Sequence, residues 1–187
     1  MGLNLSEIDN FASTLLEEAK RFLELAKECD IAENSVGCNA FLHSSLMLSF
    51  CALEAHVNAV SDEMALTKGL SPHENSILKE REVRLDDGRY KLSKNQLKIF
   101  RLEDRILFLH VHFSSKPLDK KNWHPKLKAA IQIRNLLTHP KDATIMQVKD
   151  VEASIWAIIE TIDALYMAIY KKNFPAKARG LQSKFSF

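Results

Sequence analysis

Apolar residues recur at helical spacing in four long blocks of this chain, a period that leaves little besides helix for most of its length. In the first block Leu5, Ile8, Phe11, Leu15, Ala19, Phe22 and either Leu25 or Ala26 line one stripe, with Glu17, Glu18, Lys20 and Lys27 opposite and Cys29-Asp30 at its end. The second runs from about Ser35 to Leu66. Its face of Phe41, Leu42, Ser45, Leu46, Leu48, Ser49, Ala52, Leu53 and Val57 carries small residues that allow close helix approach. Residues 122–139 hold Trp123, Leu127, Ala130 and Ile131, and residues 147–172 hold Val148, Val151, Ile155, Ile158, Ile159, Ile162, Leu165, Tyr166 and Ile169. The expected class is all-α: an antiparallel four-helix up-and-down bundle core with an inserted segment of short helices and a possible small hairpin.

That insert spans about residues 67–121. Ser71-Pro72-His73-Glu74 combines a capping box with proline at the first helical position, predicting a short helix to about Glu82. Residues 83–92 alternate about Asp87-Gly88, a hairpin signal that needs helices to pack on. Ser93-Lys94-Asn95-Gln96 reads as another capping box, opening a helix that continues, with a break near Arg101, to His112. Residues 1–172 are expected to form one domain. Residues 173–187 are expected to be a flexible basic tail, since the last seventeen residues hold Lys171, Lys172, Lys177, Arg179 and Lys184 and no acid.

With 46% hydrophobic and 27% charged residues the chain has the composition of a soluble globular protein, and its net charge of +2 is too small to announce a nucleic-acid binder in bulk. Any such site must be local. Lys116, Lys120, Lys121, Lys126 and Lys128 crowd the approach to Arg134, and both this cluster and the basic tail read equally as solvated surface or as nucleic-acid contact. Cys29, Cys38 and Cys51 lack a Cys-x-x-Cys spacing, which fits buried or inert thiols and a cytoplasmic location. Met1-Gly2-Leu3-Asn4-Leu5-Ser6 matches the loose myristoylation pattern without a polybasic partner, and Ser6 serves equally as a helix cap. No membrane partner is expected, because Ser, His and Glu interrupt the second block and Glu160 and Asp163 the last. His110 and His112 face different directions on a helix and no His-Glu-x-x-His or Glu-x-x-His pair exists, so no metal or cofactor is expected. Cys51 and His56 lack an orienting third group for a cysteine nucleophile.

The stretch with chemistry in it is Ile131-Gln132-Ile133-Arg134-Asn135-Leu136-Leu137-Thr138-His139-Pro140. Arginine holds phosphate oxygens in a planar fork, and histidine titrates near neutral pH. Pro140 disfavours helical geometry at His139, so the helix should stop there, freeing the imidazole from helical phase to converge with Arg134. Arg105, with His110 and His112 downstream, has similar spacing, but Ile106 follows it instead of a polar residue. Upstream, Glu54 and Asn58 lie four apart on one helical face. A buried Glu54 would need a partner, and Arg134 could supply it either as architecture or within a site.

Arg134 and His139 at this spacing, Asn135 after the arginine, and the place just before the last long helix together resemble the signature of the HEPN family of all-helical, mostly RNA-targeting domains. Ser49–Asn58 looks like the helix of many HEPN-type proteins that carries a Glu and an Asn one turn apart, and the resemblance extends over roughly residues 37 to 172. It implies a metal-independent endoribonuclease that leaves a 2′,3′-cyclic phosphate, a toxin or defence RNase acting as a homodimer with a composite site and a neutralising antitoxin as a further partner. In that reading His139 is the general acid or base, Arg134 stabilises the phosphorane and Asn135 orients the phosphate or imidazole. Glu54, Asn58 and Thr138 support them, and Lys126, Lys128 and Lys141 contact RNA. The alternatives are a catalytically silent HEPN-like module that binds RNA or protein, and a purely structural helical interaction protein.

Overall fold

The computed structural model describes residues 5–117, 122–142 and 145–187, with side chains from Asn10 onward. The N-terminal lipidation pattern, Lys120 and Lys121 therefore fall wholly or partly outside the described residues. The first helix, α1 (Leu5–Ile31), turns into α2 (Ser35–Met64), where Asn34 caps the new helix by accepting from the Gly37 N–H. A Cβ at Gly37 would sit 2.7 Å from the Asn34 amide nitrogen and 3.1 Å from the Cys29 sulfur, so glycine lets this turn close. The two helices run antiparallel. Ser45 Oγ donates to the Ala19 carbonyl at 2.7 Å and Phe22 stacks on Phe41, so the small buried residues of α2 do permit close approach.

The buried seam of α1 is Ala12, Leu16, Ala19, Leu23 and Ala26, a heptad-like spacing about one position off the expected stripe. Phe11 is 59% exposed, whereas Glu17 and Lys20, expected on the solvent side, are buried. Their burial has a distant cause. Residues 173–187 pack along α1 instead of leaving it: Arg179 pairs with Glu17 at 2.7 Å, Ser183 Oγ donates to the Glu17 carbonyl, and the Phe187 ring meets Phe22. Phe174 and Ala176, at the start of a 3-10 turn over Pro175–Arg179, are buried in the same core.

A second antiparallel pair is formed by α5 (Trp123–Thr138) and α6 (Val148–Ile169), tied at one end by Lys126 and Glu160. Helix α6 runs parallel to α2, with the Met146 N–H donating to Asn39 Oδ1 at one end and Tyr170 Oη to Glu63 at the other. Because α6 packs against α1, α2 and α5, Val151, Ile155, Ile158, Ile159, Ile162 and Leu165 are all buried. By length and composition alone α2 is apolar enough to cross a membrane, contrary to the expectation from its interrupting polar residues. In the fold its apolar faces lie against α1 and α6.

The insert holds α3 (Pro72–Lys79), strands β1 (Arg81–Asp86) and β2 (Arg89–Leu97), and α4 (Leu102–Ser114). Both halves of the Ser71–Glu74 capping box are made, but α3 stops at Glu80, whose left-handed backbone (φ 48°) leads directly into β1. Asp87 and Gly88 both have positive φ, the primed turn that the Asp-Gly pair favours. The second expected capping box does not open a helix. Gln96 N–H donates to Ser93 Oγ within β2, where Arg81 claims the Lys94 carbonyl across a bulge, so the motif closes a local turn and α4 begins only at Leu102. The fold is thus mostly helical with one two-stranded hairpin, and α4 packs on α6 and α2.

Candidate functional site

Helix α5 ends where Pro140 requires. Thr138 is its last residue, and His139 leaves helical geometry at φ −133°, ψ 60° while its N–H still donates to the Asn135 carbonyl at 2.9 Å. Thr138 Oγ1 donates to the Arg134 carbonyl, so the last turn is closed by its own residues. The His139 ring is exposed beyond it.

Arg134 faces α2. Its guanidinium lies 5.1 Å from the centre of the Phe50 ring, a cation–π seat. Among the described residues the only hydrogen bond that it donates is a long one, 3.3 Å, to Asn135 Oδ1; Nη1 stands 3.9 Å from Glu54, and the buried Nε meets no partner there. Glu54 is half-exposed and not buried, so the pair is a loose surface one worth about 0–1 kcal/mol and does not fix the two helices. Asn58, expected beside Arg134, belongs to the other arginine: it accepts from Arg105 Nη1 at 2.8 Å. Arg105 is buried and also binds Glu80 and Ser61, and burial pushes its pKa below the usual guanidinium range. It fastens α4 to α2 and the α3–β1 junction, a structural role that its fixed partners define.

A groove of about 460 Å³ opens between α2 and the last turn of α5, lined by His43, Ser44, Met47, Leu137 and Thr138. His43 was not anticipated, and its Nε2 is buried without a hydrogen-bond partner. The signal was present in the spacing: His43, Met47, Phe50 and Glu54 follow the i, i+4, i+7, i+11 stripe that α2 turns toward α5. Of the cations expected to meet a polyanion, Lys126 is committed to Glu160 at 2.7 Å, whereas Lys128 and Lys141 are exposed. No hydrogen bond or ion pair joins the His139 ring to Arg134 among the described residues. Cys51, expected to be buried or inert, is exposed on α2 one turn before Glu54. Partial burial, together with the Glu54 charge, nonetheless pushes its thiol up.

The arrangement offers an arginine held by its flat face with most donors unmatched among the described residues, an adjacent amide, and an exposed imidazole at a helix end. Those groups suit a phosphate more than an apolar ligand. The chain matches no family model, and comparisons with curated proteins and with solved structures return no match.

Proposed function

We propose that the protein is a HEPN-like, metal-independent endoribonuclease built on a four-helix core of α1, α2, α5 and α6. The observation that carries this reading is Arg134, seated on Phe50 with almost all of its donors unmatched, one turn before an exposed His139 released by Pro140. An architectural Arg134 would bind several side chains at once, as Arg105 binds Asn58, Glu80 and Ser61. In the proposed reaction the RNA 2′-oxygen attacks phosphorus, the bond from phosphorus to the 5′-oxygen breaks, and a 2′,3′-cyclic phosphate results. An imidazole takes the 2′-hydroxyl proton and a second proton reaches the departing 5′-oxygen. Arg134 stabilises the charge on the non-bridging oxygens, Asn135 orients the phosphate, and Lys128 and Lys141 guide the strand.

The motif supplies one histidine, His139, which leaves half of this proton transfer unassigned and favours a composite site across a two-fold axis. The apolar surface beside the motif agrees: Leu136 and Ile145, on either side of His139 in the chain, are 53% and 85% exposed. Light scattering at tens of micromolar should give a dimer; a monomer at that concentration counts against the composite site.

The deciding experiment is cleavage of a labelled RNA in EDTA, with the matching DNA as control. RNA should be cut to cyclic-phosphate ends while the DNA, lacking the 2′-hydroxyl, stays intact. Loss of cleavage in EDTA, or equal cutting of DNA, rules the mechanism out. A silent RNA-binding module is the second reading, favoured by the absence among the described residues of a hydrogen bond that orients the His139 ring, and it predicts RNA affinity with no cleavage under any condition. The cytoplasmic setting, the toxin or defence role and a neutralising antitoxin belong to the same proposal.

A further inference from the structure

A second cavity, of about 750 Å³, lies between α4, α5, α6 and the C-terminal segment, within the roughly 300–1,000 Å³ of small-molecule sites. Asn122 and Trp123, at the start of α5, line it, whereas Arg134 lies about 16 Å further along the same helix. Four features converge there. His110 Nδ1 is buried without a hydrogen-bond partner, and burial alone lowers its pKa, so the ring reaches neutral pH uncharged with polar capacity unmatched. The α5 N-terminus has no side-chain cap from Asn122 and no acid in its first turn, so among the described residues no carboxylate of its own offsets the positive end of the helix dipole.

Lys171 is the third feature. It follows α6 with a left-handed backbone, φ 58°, where glycine is the usual residue, and its ammonium reaches back to the Ala168 carbonyl at the cavity wall. The fourth is that, among the described residues, the acids lining the cavity are already matched. Asp163 accepts from Lys177 at 2.6 Å and from the Phe174 N–H, and Glu160 is held by Lys126. Among the described residues this leaves the unpartnered His110 nitrogen and the Lys171 ammonium, beside an apolar wall that includes Met167, 43% exposed.

We infer that this cavity binds a small organic anion, with its head group between His110, Lys171 and the start of α5, and its apolar body along Met167. A carboxylate and a phosphate monoester share that chemistry. The chain holds two tryptophans, and only Trp123 lines the cavity, while Trp156 packs near Gly180. The test therefore follows both indole N–H resonances of the ¹⁵N-labelled full chain while phenyl phosphate, phenylacetate or the neutral benzyl alcohol is added.

At least one anion should shift Trp123 saturably and leave Trp156 in place, and the tighter of the two identifies the head group. Benzyl alcohol should bind at least about 10-fold more weakly, as the loss of charge-assisted hydrogen bonds implies. Lys171→Gly should weaken the anion by about 10-fold for the same reason. Its melting temperature should stay equal or rise, because glycine suits the left-handed backbone. Three results each overturn the inference: no saturable Trp123 shift with either anion at about 10 mM, binding of benzyl alcohol as tight as the anions, or undiminished affinity in a folded Lys171→Gly variant.

Discussion

Replacing His139 by alanine is expected to slow RNA cleavage by roughly 100-fold or more, because general acid–base catalysis contributes about 10²–10⁴. RNA affinity should hardly change, and neither should stability, since His139 is exposed. Arg134→Ala should lower both rate and affinity. Arg134→Lys should not restore the rate, because a point charge cannot reproduce the planar fork and would leave the Phe50 face poorly covered. His110→Ala, at the other arginine-to-histidine spacing, should alter stability and leave the rate near that of the unchanged protein. Single-turnover cleavage with anisotropy binding separates these outcomes. An unchanged rate in His139→Ala would remove His139 from the chemistry, and a lost affinity would make it a binding residue.

The helices were legible in the sequence because their signals are local. Pro140 stops α5, the Ser71–Glu74 capping box starts α3, and Asp87-Gly88 makes the hairpin turn. Where the sequence misled, the controlling contact was distant. Ser93–Gln96 has the side chains of a capping box, yet Arg81 and Glu80, more than ten residues upstream, hold the backbone of this segment in β2. Asn58 looked like a supporting residue of the Arg134 site because it lies one turn after Glu54 on the same helical face. Only the fold reveals that Arg105 reaches it first. Arg134 and Arg105 are indistinguishable by spacing and differ in how many side chains accept their hydrogen bonds: Arg105 donates to Asn58, Glu80 and Ser61, Arg134 only to Asn135 among the described residues. His43 was hidden for the opposite reason: its stripe is visible, but nothing in the sequence says which face of a mostly apolar helix turns toward α5.

The largest stability effect should come from Glu17. Lys20 is fully buried, its ammonium 3.3 Å from Glu17, and burial pushes it below the usual lysine range with Glu17 only partly opposing. Removing one partner of a buried pair leaves an uncompensated charge, so Glu17→Ala should cost about 3–5 kcal/mol in urea unfolding. It also releases Arg179 and the Lys184 N–H, both at 2.7 Å, and with them the C-terminal segment. Glu17→Ala with Lys20→Met should recover much of the loss, because the apolar stem stays packed while the charge disappears. The acid side follows from the same carboxylate. Burial raises the Glu17 pKa, but hydrogen bonds from Arg179, Lys184 and Lys20 outweigh it and hold the carboxyl below its ordinary 4.5. A carboxyl depressed in the fold adds stability that is fully present above the unfolded pKa and lost as pH falls through the folded one. Docking of residues 173–187 should therefore hold at neutral pH and loosen below about pH 4, read by limited proteolysis of the C-terminus. A Glu17→Ala variant within about 1 kcal/mol of the parent would mean that Lys20 finds water or another partner, and that the segment is held by Phe174 and Phe187 alone.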